Sequence, residues 1–230
     1  MRLIQRSEAA INEAIRSTLS YMRPDFIVEV GSFDGETLRH YVESSPSSRG
    51  IGFEGNPNNF FKYCAGKPIH NLIVSNTVGL KTFYEPIERG RGKTVDWSRS
   101  RVSSIMEVSD ALLSKQYNVL STTLDTFFET QINERKTFAL IIDAEGSAYN
   151  VLDGADKFLD RTILIKAEVE DVACWEGQHL AQDVRNLLVD RFTEVANNKL
   201  DPKQKQHNVV YINKQCEKAR GYFNAIQGEY

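Results

Sequence analysis

Cysteine is scarce. The 230 residues hold only Cys64, Cys174 and Cys216, widely spaced and without a CxxC pair, which excludes a disulfide framework and a zinc knuckle and leaves reduced thiols. The six prolines are scattered, so no low-complexity tract interrupts the chain. Nowhere is there a run of about 18 apolar residues, and the opening MRLIQRSEAAINEAI turns polar too soon for a secretion signal. A soluble, cytoplasmic protein is the expectation. Excess positive charge is lacking too: the net charge is −3 and the pI near 5.9, which provides no global field to gather nucleic acid. No P-loop and no nucleophile elbow appear, and His40, His70, His179 and His207 are too dispersed to suggest a metal centre. What remains is an ordinary globular composition, 41% apolar and 26% charged, long enough for one domain spanning residues 1–230.

Ile4, Ile11, Ile15, Leu19 and Met22 recur at helical spacing, predicting an amphipathic helix over about residues 3–22, ended by Pro24. Short apolar runs follow at Phe26–Val30, Gly50–Phe53, Asn71–Val74, Phe138–Ile142 and Ile163–Ala167, each reading as a buried strand. Helical stretches lie between several of them, at Glu36–Val42, Pro57–Cys64 and Ala148–Leu159. Strand and helix in alternation predict a parallel sheet covered by helices on both faces. After a further helix carrying Leu180, Val184, Leu187 and Leu188, the runs Phe192–Ala196 and Val209–Ile212 have no helix between them, so they are expected to pair antiparallel. Lys81–Glu85 alternates like an edge strand. A long surface loop over about residues 86–104 follows, with five basic and two acidic residues between Glu88 and Arg101. It is either a solvated insertion or a docking element for the acceptor.

The stretch FIVEVGSFDGET, Phe26–Thr37, runs a strand into a glycine turn and a helix, the usual way an open α/β sheet presents a ligand crevice. Gly31 allows a tight turn and Gly35 close packing of the helix. Phe33 stands where a dinucleotide site wants its second glycine, which argues against NAD or FAD. Glu54 ends the second strand about twenty residues on, where a carboxylate can accept both hydroxyls of a ribose, with Asn56 and Pro57 opening the next helix. Glu29 supplies an anion suited to an ammonium or sulfonium and repellent to a diphosphate. Together these preferences describe S-adenosylmethionine. Asp143 and Glu145 leave the strand Phe138–Ile142 as alternate residues, so both carboxylates can face one crevice. There a carboxylate could orient an acceptor hydroxyl and take its proton, or could instead serve the start of the following helix. With Glu168 and Glu170 the same acids offer oxygen ligands, but neither EF-hand spacing nor a histidine pair supports a metal, and none is expected.

The segments VEVGSFDGET, GFEGNP, STTLDTFFE and LIIDAEGSAYNVLDGADKFL resemble the FkbM family of S-adenosylmethionine-dependent methyltransferases, in order over Phe26–Glu170. The resemblance implies an α/β class I methyltransferase (Rossmann-like) fold, a seven-stranded mostly parallel sheet with one antiparallel strand. It places Glu29, Gly31, Ser32 and Gly35 at the methionine and ribose end of the cofactor, Glu54 and Asn56 at the ribose, Asn76 near the adenine and Asp143 near the methyl. It also implies O-methylation of a hydroxyl on a small molecule or glycan. Two departures stand out: Ile141 replaces a lysine common in the family, and EVEDVACWEGQHL, after the fifth strand, has no counterpart. Use of the basic loop to grip a nucleic acid or phosphorylated sugar, and a binding module without chemistry, are the alternatives.

Overall fold

The computed structural model describes residues 4–89, 104–106 and 111–228. The first helix, α1 (Glu8–Met22), begins later than its periodicity predicts: Ser7 caps it, accepting from Ala10 N at 3.3 Å, while Ile4–Gln5 form a short strand, β1. Burial of Ile11, Ile15 and Leu19 against the sheet contributes about 1.5–3 kcal/mol for each side chain. Arg23, left-handed at φ 50°, closes the helix just before Pro24.

The chain then alternates through β2 (Phe26–Val30), α2 (Glu36–Ser44), β3 (Arg49–Phe53), α3 (Pro57–Asn59) with a π-helical turn over Phe60–Cys64, and β4 (Ile69–His70). The strands β5 (Ile73–Val74), β6 (Gly79–Arg89) and β7 (Ala111–Thr122) follow. Next come α4 (Leu124–Phe127), α5 (Glu129–Asn133), β8 (Phe138–Ile142), α6 (Ala148–Asp153), α7 (Asp156–Asp160), β9 (Thr162–Glu170), α8 (Ala181–Leu188), β10 (Phe192–Asn197), β11 (Gln206–Asn213) and α9 (Glu217–Gly228).

The main sheet has the order β4-β3-β2-β8-β9-β11-β10, with β1 added beside β10. Strand β11 runs antiparallel to both β9 and β10, and the other pairings are parallel. This is the expected seven-stranded arrangement, extended by the two residues of β1. One core layer, including Val28, Phe53, Phe138, Val151 and Phe158, lies under α4 and α6–α8. The other, including Ile11, Ile27, Leu38, Ile141 and Phe223, lies under α1, α2 and α9.

Three elements differ from the sequence reading. The run Asn71–Val74 does not form the third strand of the main sheet: β4 lies two residues earlier, and β5 pairs with β7 in a separate sheet of order β5-β7-β6. A short apolar run specifies burial but not the sheet it joins. The helix expected over Ala148–Leu159 divides into α6 and α7 at Gly154, where a Cβ would lie 2.3 Å from Ser75 O. Asp125 then takes the freed amides of Lys157 and Phe158, at 3.1 and 2.8 Å. The segment assigned to a basic loop begins as strand β6, and residues 90–103 lie outside the described residues. Among those described, no helix is long and apolar enough to cross a membrane.

Candidate active site

The two halves of the main sheet diverge between β2 and β8, so the crevice at their carboxyl ends is the place where such a sheet receives a ligand. A small cavity of about 60 Å³ opens there. Val30, Phe53 and Val74 form its inner wall, and Phe83 and Ile105 reach it from beyond the main sheet. Among the described residues three carboxylates line it, Glu54, Asp143 and Glu145, and no lysine or arginine does.

Gly31 turns the chain out of β2 at φ 86°, and its amide donates to Phe53 O at 2.9 Å, tying the turn to β3. Phe33, also left-handed at φ 47°, is held by Glu54: its amide donates to Oε2 at 2.7 Å, while Asn56 N donates to Oε1 at 2.7 Å. The carboxylate is only 5% exposed. Burial pushes it up to about 7 against the lowering effect of those two amides, with the Asp143 charge adding to the rise. The Asn59 side chain also bonds the carboxylate, so of its roughly four lone-pair sites about one stays open to a donor from a ligand.

Asp143 leaves β8 with its amide on Val30 O, 2.9 Å away. It does not cap a helix: α6 begins after Ser147. Glu145 is left-handed at φ 37°, and its carbonyl accepts from Ser104 Oγ at 2.6 Å. Carboxylate oxygens of Asp143, Glu145 and Glu168 all lie within 4.8 Å of one another. Burial raises Glu145 to about 8, with Asp143 and Glu170 adding repulsion. Burial and the adjoining Asp143 carry Glu168 well above the usual carboxylate range. Glu170 rises to about 7 through burial, moderated by hydrogen bonds from Gly146 N, Gln178 and Gln206. Like charges this close in a shielded site cannot all ionise together, so the cluster stores protons near neutral pH.

The structure therefore gathers Gly31, Glu54, Asp143 and Glu145 around one cavity, whereas five other residues singled out from the sequence do not line it. Glu29 alternates with Val30 onto the opposite side of β2, toward α1 and α2. It is 2% exposed, and its Oε2 has no hydrogen-bond partner among the described residues. Burial pushes it to about 8, against a hydrogen bond from Ser32, with the Asp143 charge adding to the rise. Ser32 Oγ donates to Glu29 O at 3.3 Å, and Gly35 stands at the head of α2 beside Ile69. Asn56 caps α3, its Oδ1 accepting from Asn58 N at 2.9 Å. Asn76 is exposed and donates to Asp153 Oδ2 at 2.9 Å. Phe83, Ser104 and Ile105 join the cavity from a region that the sequence reading left as an edge strand and a loop. The alternation of Lys81–Glu85 predicts an edge strand but does not say what its side chains face.

The methyltransferase FkbM domain matches residues 25–200. No curated protein matches the chain. Among solved structures, magnesium protoporphyrin IX methyltransferase from Synechocystis PCC 6803, with bound SAM, is similar at 7% identity and a TM-score of 0.42, over 90% of this chain and 81% of that one. An rRNA methylase from Streptococcus thermophilus is 11% identical with a TM-score of 0.44, over 92% and 99% of the two chains. A sugar N-methyltransferase from Streptoalloteichus is 12% identical with a TM-score of 0.39, over 89% and 87%. Likenesses this distant do not identify a substrate. The domain match covers most of the chain and contains the glycine turn, Glu54 and the Asp143–Glu145 loop, and by it the chain belongs to the FkbM family of S-adenosylmethionine-dependent methyltransferases.

Proposed function

We propose that the protein transfers the methyl group of S-adenosylmethionine to a hydroxyl of a small molecule or glycan, with Glu54 holding the cofactor and Asp143 serving the acceptor. The observation behind this is that both carboxylates line one cavity from the ends of β3 and β8, with no basic residue beside them among the described residues. Such a lining suits a cation and repels a diphosphate. When bound, the cofactor supplies an electrophilic methyl carbon on a positively charged sulfur.

The residues divide the work. Glu54, fixed by Phe33 N and Asn56 N, accepts from the ribose hydroxyls, and Gly31 keeps the turn low enough for the chain to pass. The apolar side chains of Val74, Phe83 and Ile105 exclude water around the nucleoside. Asp143 is exposed, unlike Glu145 and Glu168, so an acceptor can reach its carboxylate directly. It orients the acceptor hydroxyl and accepts its proton as the new carbon–oxygen bond forms, a contribution of roughly 10²–10⁴-fold when the geometry is good. Glu145 supports Asp143 from the same loop. In this reading Glu29, Ser32, Gly35 and Asn56, assigned to the cofactor from family resemblance, shape the turn and its supports, and Asn76 ties the end of β5 to Asp153 at the end of α6.

The test uses S-adenosylmethionine carrying a ¹³C-methyl group, incubated with the enzyme and a mixed extract of small molecules and glycans. The carbon shift of the product separates O-methyl from N- and C-methyl. Label on oxygen is expected; label on nitrogen or carbon overturns the acceptor class. Cofactor binding without any transfer identifies a binding module instead.

A further inference from the structure

We propose that Trp175 and Gln178 are positioning residues that hold the Asp143–Ser147 loop in its active geometry. This rests on the reading of Asp143 and Glu145 given above. It also assigns a role to part of EVEDVACWEGQHL, the stretch at the end of β9 that lies within the matched domain.

After β9 the chain turns back over the loop that joins β8 to α6. The Trp175 ring, 4% exposed, lies on Gly146, where a Cβ would come within 2.3 Å of the indole Cδ1. Gly146 is left-handed at φ 78° and follows Glu145, left-handed at φ 37°. A non-glycine residue held in that region costs about 1–3 kcal/mol and persists only where its surroundings enforce it. Here the enforcement is a closed circuit. Gly146 N donates to the Glu170 carboxylate, whose Oε2 accepts from Gln178 Nε2 at 2.7 Å. Gln178 Oε1 in turn accepts from Cys174 N at 2.8 Å and Trp175 N at 3.2 Å, and Trp175 returns to Gly146 by contact. Gln206, bridging Glu168 Oε2 at 2.7 Å and Glu170 Oε1 at 3.3 Å, braces the circuit from β11.

Gln178 works in two directions at once: its oxygen fastens its own loop and its nitrogen fastens Glu170, and through Glu170 the amide of Gly146. Only an amide side chain of this length does both. Opening the circuit frees Glu145 to leave its strained conformation and swings the Asp143–Glu145 carboxylates off the cavity. Cofactor contacts at Glu54, just past β3, are untouched.

The deciding variants are Gln178→Glu, Trp175→Ala and Trp175→Phe. At a pH high enough to ionise both carboxyls, glutamate keeps the acceptor for Cys174 N and Trp175 N but cannot donate to Glu170, so a role confined to fastening the 171–178 loop leaves Gln178→Glu fully active there. We expect Gln178→Glu and Trp175→Ala to lose roughly 10- to 100-fold in label transfer at saturating S-adenosylmethionine, the scale of a misplaced reacting group. The calorimetric affinity for the cofactor stays at the wild-type value, and Trp175→Phe keeps most of the rate. Independently of any acceptor, hydrogen exchange in the peptide 143–148 rises severalfold in the first two variants and not in the third. Wild-type exchange in Gln178→Glu, or an equal loss of rate and cofactor affinity, overturns the assignment. Absence of label transfer by the wild-type protein sinks the proposed reaction instead, and the exchange measurement still decides the circuit.

Discussion

Gly31 and Asp143 touch backbone to backbone: a Cβ on Gly31 would lie 1.8 Å from Asp143 O, while Asp143 N donates to Val30 O at 2.9 Å. The glycine turn after β2 and the loop after β8 are thus set against each other with no side chain between them, which fixes the spacing of the two sides of the cavity.

Replacing Gly31 by alanine is therefore expected to damage fold and site together. The added methyl meets a carbonyl that cannot retreat without breaking its own strand, and φ 86° is unfavourable for alanine. A loss of about 1–3 kcal/mol or more is expected in urea unfolding. Wild-type stability would show that the β2 and β8 ends are free to separate.

Glu54→Ala is expected to weaken S-adenosylmethionine binding roughly 10- to 100-fold by calorimetry, since a hydrogen bond to a charged group contributes about 1.5–3 kcal/mol. In the wild-type protein the affinity should improve as pH rises through about 7, where the raised Glu54 carboxyl ionises. Glu54→Gln should bind weakly with that pH dependence reduced. Unchanged affinity in both variants removes Glu54 from the cofactor site.

Asp143→Asn keeps the shape of the side chain and removes its basicity. Turnover should fall roughly a hundredfold with cofactor affinity unaltered. Loss of binding in place of turnover would make Asp143 a cofactor ligand only.

Glu29 makes stability depend on pH in a stated direction. Its carboxyl rises from an ordinary 4.5 to about 8 in the folded chain, so between these values the folded state holds a proton that the unfolded state has lost. Its contribution is complete below pH 4.5 and is lost as pH rises through about 8. Glu29→Gln should raise the melting temperature at pH 8.5, by roughly 2–4 °C for each kcal/mol relieved, and change it little at pH 5. Glu54, Glu145 and Glu170 contribute slopes of the same sign, so the substitution reduces the fall with pH without abolishing it. An equal effect at both pH values would show that Glu29 is ionised in the folded protein throughout.

The sheet was legible in the chain because its signals are local. Five-residue apolar runs such as Phe26–Val30 and Phe138–Ile142 can be buried only as central strands, and two late strands without a helix between them can pair only antiparallel. Glu54 could be read for the same reason, lying at a strand end at a fixed distance from a glycine turn. Other features have no local signature. The addition of β1 beside β10 and the transfer of Ile73–Val74 to a second sheet are settled by pairing partners far away in sequence.

The side of β2 on which Glu29 lies, the contact of Gly31 with Asp143, and the meeting of Gly146 with Trp175 belong to the packed molecule. Sequence alone determined the order of the strands' types, the turn that carries Gly31 and the acids available at the strand ends, since each follows from the periodicity and backbone freedom of a few neighbouring residues. Only the tertiary structure decided which of those acids share a cavity. Burial and mutual repulsion are properties of the space that distant segments enclose together.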